Sequence, residues 1–452
     1  MNCPTKATVL KALIIAGGEG KRIRSVAKAT PKPLLDVGGR PLVERQILLL
    51  RRYGIREIHL TVRAPDLSMF RAHFASGESL EVVLHYHTES EPLGTAGGLA
   101  SLLGHSDVRA IHELAPPDQT FVVLYGDVMV NMDLVSLVRF HQSKRAVATL
   151  VVHPSDHPLD SDLVEADEEG RIKAFHPKPR PRKSDHQNLA NAGVYVLSQS
   201  IANHIPARPS DFMRDVFPSA LRAGTPLYTY RTREYLKDVG TPERLAAVRA
   251  DWAAGRIERR HRDCPLPAIF FDRDGTLCEL IPLLHRIEDL RLLPGAAEAV
   301  RRVNQSDCLA VVVTNQPVVA HGLCTLDELD CIHARMETLL GEQGAFLDGI
   351  YYCPHHPEAG YPGEDADLKV ACECRKPSGE LVRRAARDLN IDLSRSAFVG
   401  DSTADIETGK RLGLRTVLVQ TGEAGHDKKF DARPDACCTD VAEAVNIILK
   451  TL

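Results

Sequence analysis

The sequence predicts an α/β protein made of two domains, each built around a largely parallel sheet. The chain of 452 residues is too long for one ordinary hydrophobic core. Strand-like runs alternate with helical runs in both halves, which is typical of parallel sheets covered by helices. A charged stretch that ends in two prolines, DWAAGRIERRHRDCPLP, interrupts this alternation. We therefore expect domains at residues 1–250 and 267–452, joined by a linker at 251–266.

The first half contains six apolar runs, many of them rich in β-branched residues, which we expect to form strands. They are TVLKALIIAG, REIHLTV, LEVVLHYH, TFVVLYGD, AVATLVVH and NAGVYVLS. Between the first two runs, RPLVERQILLLRRYG has apolar residues at helical spacing, and Gly54 marks its end. This pattern predicts a helix that covers one face of the sheet.

The second half repeats the alternation with its own set of strands and helices. The predicted strands are AIFFD, LAVVVTN, GIYYC, AFVGD and RTVLVQ, and the predicted helices are LDELDCIHARMETLLGEQ, ELVRRAARDLN and ADIETGKRLG. Ligands of such sheets bind at the carboxyl ends of the strands. Polar residues that directly follow the runs are therefore the first site candidates.

Composition and charge argue against several classes of partner. The formal net charge is −4 at pH 7, with 60 acidic residues against 56 Lys and Arg. This balance does not favour nucleic acid or a membrane surface. No apolar run approaches the roughly 18 residues of a membrane helix, and the N-terminal apolar stretch is too short for a signal peptide. We expect a cytoplasmic protein whose thiols stay reduced.

Two tight clusters of soft ligands lie in the second half, at Cys353 and His355 and at Cys372 and Cys374. Three cysteines and one histidine form a set that a closed, tetrahedral structural zinc prefers. A disulfide is disfavoured in a reducing compartment, and unligated thiols remain the alternative. The connecting stretch PEAGYPGEDADLKVA is rich in Gly, Pro and acids, as a loop should be. We expect Zn²⁺ to shape this loop.

Chemical groups follow several predicted strands of the second half. FFDRDGTL supplies Asp272 and Asp274, which alone would also suit a solvated turn. VVVTNQ supplies Thr314 and Asn315, and CRKP supplies Lys376 directly after a predicted zinc ligand. FVGDSTAD adds Asp401 and Asp405. Carboxylates, a hydroxyl and a lysine at successive strand or loop ends, in this order, favour a phosphate-handling site.

This ordered set resembles the haloacid dehalogenase superfamily of phosphatases over residues 267–425. The resemblance implies a Rossmann-like domain in which Asp272 attacks phosphorus and forms an aspartyl-phosphate. Asp274 would protonate the leaving alkoxide and then deprotonate the attacking water. Thr314 and Lys376 would hold the phosphoryl oxygens.

The same resemblance implies a Mg²⁺ site, with Asp272, Asp274 and Asp401 as ligands and Asp405 in support. Asn315 and Arg375 would contact substrate. Without the cation, an anionic nucleophile would repel the phosphate dianion.

The spacing C-x-H…C-x-C-R-K-P is similar to one subgroup, the heptose 1,7-bisphosphate phosphatases and their histidinol-phosphate phosphatase relatives. This similarity implies that the zinc fixes Arg375 and Lys376 beside the active site. The sequence departs from the subgroup at Pro317 and His321, where Ser and Arg are usual. Contacts to the distal end of the substrate are therefore open.

The first half opens with a glycine-rich loop, LIIAGGEGKRIR, which places Gly17, Gly18 and Gly20 after the first strand and Arg22 just beyond. Glycines let backbone N–H groups approach phosphates closely. A tight strand-to-helix turn gives a similar pattern. The loop lacks the G-x-G-x-x-G spacing of dinucleotide-binding proteins.

Five further segments follow in order: PKPLL, EPLGTAGG, LYGD, NAGVYV and KDVGTPE. Together with the glycine loop they resemble the sugar-1-phosphate nucleotidyltransferases over residues 8–250. That resemblance implies a Rossmann-like domain with a mixed, mostly parallel sheet. The protein would align anions and neutralise their charge while a sugar 1-phosphate displaces pyrophosphate.

The resemblance also implies roles for individual residues. Asp127 and Asp238 would bind Mg²⁺, Lys32 and Arg22 would contact the phosphates, and the remaining contacts to substrate would come from Gly94, Thr95, Lys178 and Asn191. The sequence departs from the family at Pro177, where glutamate normally binds sugar, and at Lys21, where Thr is usual. These departures bear on the choice of sugar.

Two enzymes on one chain suggest consecutive steps. Removal of the 7-phosphate from heptose 1,7-bisphosphate gives heptose 1-phosphate, which a transferase converts to an NDP-heptose. The families imply GTP as the nucleotide, and Glu89 is the predicted guanine contact because a carboxylate can accept from guanine N1–H and N2–H₂. ADP-heptose synthesis, and a hexose or mannose 1-phosphate transferase fused to a generic sugar-phosphate or histidinol-phosphate phosphatase, remain alternatives. A further alternative is that one half is a degenerate, regulatory binding module. The sequence does not predict the oligomeric state.

Overall fold

A computed structural model describes residues 10–18, 20–23, 30–102, 120–179, 185–358, 360 and 362–451, and for Lys21 and residues 100–102 it describes the backbone alone. The chain divides into two compact units. Unit 1 comprises Met1–His153, Val164–Pro177 and Asn191–His261, and unit 2 comprises Pro154–Leu163, Lys178–Ala190 and Arg262–Leu452.

The first thirteen strands belong to the N-terminal half of the chain. They are β1 Lys11–Ile15, β2 Asp36–Val37, β3 Arg40–Pro41, β4 Glu57–Arg63, β5 Val83–Glu89, β6 Thr120–Tyr125, β7 Val128–Asn131, β8 Ala148–His153, β9 Leu163–Ala166, β10 Ile172–His176, β11 Ala190–Ser198, β12 Leu227–Arg231 and β13 Tyr235–Asp238. Nine of these described strands form one sheet in the order β10–β9–β11–β6–β1–β4–β5, with β8 beside β11 and β12 beside β8. Strands β6, β1, β4 and β5 run parallel, whereas β11 is antiparallel to β6, so the predicted mixed sheet is confirmed.

Seven helices are described in this half of the chain. They are α1 Leu42–Arg52, α2 Leu67–Phe74, α3 Gly97–Leu102, α4 Leu134–Lys144, α5 Phe217–Arg222, α6 Pro242–Ala253 and α7 Arg256–Arg259. In α1 the buried Val43, Ile47 and Leu50 recur at helical spacing and join the core with Ile58 and Leu60 of β4. The helix ends where predicted, since Gly54 follows with a φ of +79°.

Unit 2 contains a six-stranded sheet whose described pairs are all parallel, in the order β16–β15–β14–β17–β18–β19. The strands are β14 Ala268–Phe271, β15 Leu309–Asn315, β16 Gly349–Cys353, β17 Ala397–Gly400, β18 Arg415–Val419 and β19 Ala436–Cys438. The helices are α8 Ala296–Gln305, α9 Leu326–Gly341, α10 Glu380–Leu389, α11 Thr403–Arg411 and α12 Val441–Leu449.

Strand β14 shows why its run is continuously apolar. Ile269 and Phe271 point into one core cluster, while Ala268 and Phe270 belong to a second. Both faces of the sheet are therefore buried, as in doubly wound folds. The first residue beyond this strand is Asp272, so the sheet delivers that carboxylate to its carboxyl edge.

The stretch expected as a linker is partly regular structure. Helix α6 ends within it at Ala253, α7 lies inside it, and Ile257 and His261 are buried in unit 1. The segments Pro154–Leu163 and Lys178–Ala190 group with unit 2 although they precede that stretch. In the described part of the chain, no helix has the length and apolarity needed to cross a bilayer.

Candidate active sites

The carboxyl edge of the unit 2 sheet gathers three carboxylates. Asp272 follows β14, Asp401 follows β17, and Asp405 lies in the first turn of α11. Their oxygens lie within 4.8 Å of one another. Lys376 Nζ lies 2.9 Å from Oδ1 of Asp272 and 2.6 Å from Oδ1 of Asp405.

Burial makes the ionised form of these carboxylates unfavourable unless further positive charge is present. Burial raises the pKa of Asp272 to about 6, and the charge of Lys376 opposes that rise. Burial, together with the charges of Asp272 and Asp405, raises the pKa of Asp401 to about 8. Burial alone would lower the pKa of Lys376, but Asp272 and Asp405 more than offset this, so its ammonium stays charged. A divalent cation would relieve the remaining repulsion, and the donor set suits Mg²⁺.

Asp274 is not part of this three-carboxylate cluster and pairs with a buried arginine. Arg273 Nε donates to Oδ1 of Asp274 at 3.0 Å, and Nη2 donates to Oδ2 at 2.9 Å. Gln316 Nε2 donates to Oδ2 of Asp274 at 2.8 Å and to Thr314 Oγ1 at 3.0 Å. Gln316 Oε1 in turn accepts from Arg273 Nη2 at 2.6 Å. The network fixes the Asp274 carboxylate beside Thr314.

Lys376 is positioned through its backbone as well as its side chain. Its N–H donates to Oδ1 of Asn315 at 2.9 Å, and Asn315 Nδ2 donates to the carbonyl of Lys376 at 3.2 Å. Arg375 Nη1 donates to the carbonyl of His355 at 3.2 Å. Two residues predicted to bind substrate, Asn315 and Arg375, thus contact the Lys376 segment and the cysteine-rich loop.

The cysteine-rich cluster is assembled as predicted. Nδ1 of His355 lies 3.2 Å from Sγ of Cys374 and 3.7 Å from Sγ of Cys353. The sulfur of Cys374 lies 3.1 Å from that of Cys353 and 3.2 Å from that of Cys372. These separations are too long for a disulfide. Zinc with Zn–S bonds of about 2.3 Å needs sulfurs about 3.8 Å apart, so the four ligands fit zinc after a small expansion.

In unit 1 the glycine loop borders a cleft of about 740 Å³, including its open mouth. The lining residues come from the ends of β1, β5 and β6 and from nearby loops: Ile15, Ala16, Gly17, Gly18, Lys32, Pro33, Glu89, Pro92, Leu93, Gly94, Thr95, Tyr125 and Asp127. Gly20 has a φ of +60°, and a Cβ there would lie 3.2 Å from Cγ of Lys32. Lys32 Nζ lies 3.2 Å from Oδ2 of Asp127.

Glu89 is the most unusual residue of the cleft. Its side chain is buried, and its Oε1 has no hydrogen-bond partner. Burial raises its pKa, and a backbone hydrogen bond from Leu93 only partly offsets that effect. A Cβ on Gly17 would lie 2.5 Å from its Oε2, and one on Gly98 would lie 2.9 Å from its Oε1. The glycines therefore make room for this carboxylate, which is ready to accept a donor.

The opposite wall of the cleft is built around Thr95. Its hydroxyl donates to Oδ2 of Asp211 at 2.6 Å and accepts from the N–H of Phe212 at 3.0 Å. A Cβ on Gly94 would lie 2.3 Å from the carbonyl oxygen of Ser210, so only glycine fits there. The predicted residues Gly94 and Thr95 thus contact Ser210 and Asp211, which directly precede a π-helix at Phe212–Val216.

Asn191 lies near the same wall through a tyrosine pair. Its Nδ2 donates to the hydroxyl of Tyr195 at 2.9 Å, and Tyr195 donates to the hydroxyl of Tyr125 at 3.1 Å. Its Oδ1 accepts from the N–H of Gly193 at 3.3 Å. Tyr125 itself lines the cleft.

Strand pairing brings the two aspartates predicted to bind metal to one place. In the β7–β13 ladder Asp238 lies opposite Val128, and the N–H of Val239 donates to the carbonyl of Asp127 at 2.8 Å. Arg244 Nη1 donates to both oxygens of Asp238, at 2.8 and 2.7 Å. A Cβ on Gly240 would lie 2.6 Å from Oδ1 of Asp238 and 3.3 Å from Nη2 of Arg22. Cations therefore already face both carboxylates.

Lys178 groups with unit 2 rather than with the cleft residues of unit 1. Its Nζ donates to the carbonyl of Asp160 at 2.7 Å, and its backbone N–H donates to Oδ1 of Asp162 at 2.9 Å. Pro177 precedes it as the last residue of its unit 1 segment. Sequence reasoning placed Lys178 in the transferase site, and that role remains a prediction.

Sequence reasoning missed three polar residues that shape the sites: Arg273, Gln316 and Arg244. Arg273 and Gln316 lie within the predicted motifs FFDRDGTL and VVVTNQ, and Arg244 directly follows KDVGTPE, but the partners of each depend on the direction of its side chain. The available sequence signal was an arginine between two aspartates, as in DRDG; in the structure that arginine is fully buried.

Comparison with known proteins agrees with this arrangement. A family model described as nucleotidyl transferase matches residues 11–254, more than half of the chain. A model described as HAD-hydrolase-like matches residues 373–444.

Two curated relatives match different halves. D-glycero-D-manno-heptose-1,7-bisphosphate 7-phosphatase of Thermosynechococcus vestitus is 38% identical over 195 residues, which cover 42% of this chain and 98% of that protein. Mannose-1-phosphate guanylyltransferase of Mycobacterium tuberculosis is 34% identical over 246 residues, which cover 54% of this chain and 65% of that protein. The chain therefore spans slightly less than two thirds of the second relative.

Among solved structures, a D,D-heptose 1,7-bisphosphate phosphatase from B. bronchiseptica, complexed with magnesium and phosphate, has 30% identity and a TM-score of 0.37. The match covers 41% of this chain and all of that one. The family-model matches and the curated relatives show that the chain is an enzyme that belongs to the nucleotidyl transferase family through residues 11–254, and that its C-terminal part is HAD-like and belongs to the family of the T. vestitus phosphatase.

Proposed function

We propose that the chain is a bifunctional enzyme of NDP-heptose synthesis. It removes the 7-phosphate of D-glycero-D-manno-heptose 1,7-bisphosphate and then transfers GMP from GTP to heptose 1-phosphate, giving GDP-heptose and pyrophosphate. The observation that carries this proposal is the presence, on one chain, of two groups of residues that suit phosphate chemistry. One has the acids and lysine of a phosphatase, and the other has the glycine loop, Lys32 and paired aspartates of a nucleotidyltransferase.

In the phosphatase site Asp272 is the nucleophile. Its carboxylate lies at the end of β14, and Lys376 beside it balances charge on the phosphoryl oxygens as they approach. Attack on phosphorus forms the aspartyl-phosphate and breaks the bond to the sugar oxygen. Asp274, oriented by Arg273 and Gln316, gives that oxygen its proton and later takes one from the attacking water.

Asp272 and Asp401 would hold Mg²⁺, with Asp405 in support, because their oxygens already converge. When bound, the ion supplies positive charge that lets an anionic nucleophile meet a phosphate dianion. The structure groups Asp405 with this cluster and holds the Asp274 side chain outside it. A ligand role for Asp274 would therefore fall to its backbone.

The Cys353, His355, Cys372 and Cys374 cluster would bind a structural zinc ion. Its contribution is to fix the loop that carries Arg375 and Lys376, since the last ligand directly precedes them. The hydrogen bond from Arg375 to the carbonyl of ligand His355 supports that coupling. Zinc thiolates also need reduced cysteines, which fits the cytoplasm.

In the transferase cleft, Lys32, Arg22 and the backbone of Gly17, Gly18 and Gly20 would hold the triphosphate. Asp127 and Asp238 would hold Mg²⁺, which supplies charge for the pyrophosphate leaving group when bound. Both aspartates lie against cations, Lys32 and Arg244, that balance them until then. Thr95, Gly94, Asn191 and Lys178 are proposed to bind the sugar phosphate.

Guanine specificity is proposed from Glu89. A buried carboxylate with an unpaired oxygen favours a base that offers two adjacent donors, as guanine does at N1 and N2. Adenine offers no such edge. We expect Glu89→Gln to reduce kcat/KM for GTP on the order of 100-fold and to change that for ATP little. The control is Glu81→Gln, whose parent side chain is 70% exposed.

The sequence of steps follows from the substrates. A sugar pocket lined by hydroxyl-binding groups such as Asn191 would have to bury an unpaired dianion if the 7-phosphate remained. Dephosphorylation therefore comes first.

We also propose domains at residues 1–250 and 267–452 and a cytoplasmic location.

Phosphorus NMR on the full chain tests the proposal directly. Given the heptose 1,7-bisphosphate, Mg²⁺ and GTP, inorganic phosphate should appear before pyrophosphate and GDP-heptose. Early GDP-heptose 7-phosphate, or release of free heptose, would contradict the assigned order. Parallel reactions with ATP and with mannose 1-phosphate test the alternatives, the second being suggested by the M. tuberculosis relative.

A further inference from the structure

Strands β4 and β5 bring three metal-binding side chains together at the end of the unit 1 sheet away from the cleft. Glu57 and His59 are two residues apart on β4 and therefore share a face. His59 is directly opposite His85 in the parallel β4–β5 register. The amino ends of the strands carry this group, whereas Glu89, at the carboxyl end of β5, lines the cleft.

The three ligand atoms nearly meet. Nε2 of His59 lies 3.8 Å from Oε1 of Glu57, and Nε2 of His85 lies 3.7 Å from the same oxygen. All three atoms lie within 4.8 Å of one another. A tetrahedral zinc with bonds of about 2.0–2.1 Å needs ligand atoms about 3.4 Å apart. Side-chain rotations must therefore bring each histidine a few tenths of an ångström closer to Glu57 and bring the two histidine nitrogens to the same spacing.

His59 supplies an independent indication of a ligand. Its side chain is 5% exposed, and its Nε2 has no hydrogen-bond partner. Its other nitrogen, Nδ1, lies 2.9 Å from Nε2 of His87. If Nδ1–H donates to His87, the lone pair is on Nε2, directed toward Glu57 and His85. Metal-bound histidines are commonly oriented by such a second hydrogen bond.

We propose that Glu57, His59 and His85 form a binding site for a zinc-class divalent cation that links β4 to the edge strand β5. Two imidazoles and one carboxylate are borderline donors that suit Zn²⁺. Three protein ligands leave the fourth position open to water. His85 and Glu57 are 42% and 33% exposed, so an ion has a path to the buried His59.

The ammonium group of Lys11 would repel a cation bound at this site. Its Nζ lies 2.7 Å from Oε1 of Glu57, the oxygen nearest both histidines. A bound cation would share that carboxylate with the ammonium or displace it. Removing the lysine charge should therefore tighten zinc binding, which no purely structural role of the histidines would predict.

The test uses the full chain after a chelator has removed bound metal. Zn²⁺ is then titrated in the presence of excess Mg²⁺, which occupies the carboxylate sites. We expect about two zinc ions per chain, one at the cysteine cluster and one at the histidine site. His85→Gln and His59→Gln should each weaken zinc binding at the histidine site by at least 10-fold. Cys374→Ser should weaken zinc binding at the cysteine cluster only. Lys11→Met should strengthen the histidine site several-fold. The control, His73→Gln, replaces an exposed histidine of α2.

Co²⁺ substitution and unfolding give readouts besides stoichiometry. In the Cys374→Ser chain, cobalt at the histidine site should contribute the weak spectrum of nitrogen and oxygen ligands, and His85→Gln should remove that contribution. Zinc should raise the denaturant midpoint reported by Trp252, the sole tryptophan, in the parent chain but not in folded His85→Gln. The proposal would be overturned if the chain bound one zinc ion and neither histidine variant changed zinc binding. It would also be overturned if His73→Gln weakened zinc binding as much as His59→Gln or His85→Gln does.

Discussion

At the residue scale, the acid–base role of Asp274 depends on Gln316. The amide of Gln316 donates to Asp274 and to Thr314, and its oxygen accepts from Arg273. One side chain thus orients the acid, the phosphoryl-binding hydroxyl and the arginine that pairs with the acid. Gln316 touches no reacting atom in the proposed mechanism, so it is a positioning residue.

Gln316→Glu is nearly isosteric and keeps the acceptor for Arg273, but it sets a second carboxylate against Asp274. We expect phosphatase kcat to fall about 10- to 100-fold, a part of what general acid–base catalysis contributes. The added negative charge favours proton uptake at Asp274, so the pH–rate profile should also shift to higher pH. Gln343→Glu, at an exposed position, adds the same charge as a control. An unshifted pH profile would show that Gln316 does not act through Asp274.

At the element scale, the cysteine-rich loop should control the phosphatase alone. Cys374→Ser removes one ligand of the proposed zinc and loosens the segment that carries Lys376. We expect metal analysis to show loss of one zinc per chain, with phosphatase kcat at least about 10-fold lower. Nucleotidyl transfer to heptose 1-phosphate should be largely retained. Cys437→Ser, at an exposed cysteine, is the matched control. Fully active protein that contains no zinc at this cluster would refute the prediction.

The packing of α4 on the sheet predicts a pH dependence of stability. Burial lowers the pKa of His141 from 6.5 to about 4, where the ring lies 2.9 Å from Thr149 Oγ1 and 3.2 Å from Ser198 Oγ. Between these pH values the unfolded chain binds a proton that native His141 does not, so stability falls as pH falls. At roughly 1.4 kcal/mol per pKa unit, the loss is at most about 3.5 kcal/mol.

Denaturant unfolding followed by Trp252 fluorescence would measure this dependence in unit 1. His141→Gln keeps a polar side chain near both hydroxyls but cannot take up the proton. We expect the unfolding free energy of the variant to decrease less than that of His73→Gln between about pH 6.5 and pH 4. Parallel pH curves for the two variants would contradict the assignment.

Elements that are buried on both faces could be predicted from the sequence, and short ladders could not. β14 and β15 are continuous apolar runs because core lies on both sides. β7 and β13 have four residues each and merge with the YGD and KDVG motifs, so their pairing was missed. That pairing, rather than either motif, brings Asp238 beside Asp127. The motifs predicted which groups are present; the partners Arg273, Gln316 and Arg244 depend on side-chain direction in the folded chain.

At the scale of the whole molecule, the two units are not two continuous halves of the sequence. Pro154–Leu163 and Lys178–Ala190 group with unit 2, where Asp185 pairs with Arg335 at 3.0 Å and the N–H of Asn188 donates to Glu337 at 3.1 Å. Cutting the chain at 251–266 would remove these segments from unit 2. The independence of the two activities is therefore best tested with point variants of the full chain.

Asp272→Asn should abolish phosphate release, by on the order of 10⁴-fold or more, because the amide cannot attack phosphorus. It should leave conversion of supplied heptose 1-phosphate and GTP to GDP-heptose intact, since no residue proposed for the transfer belongs to the Asp272 site. Asp127→Asn should do the reverse, because it weakens the proposed metal site beside Lys32. Each half-reaction is measured separately, by phosphate release from the bisphosphate and by pyrophosphate release from heptose 1-phosphate. Asp289→Asn, at a side chain 45% exposed, is the control. If either site variant silenced both reactions while its circular dichroism matched the parent, two independent sites would no longer describe the enzyme.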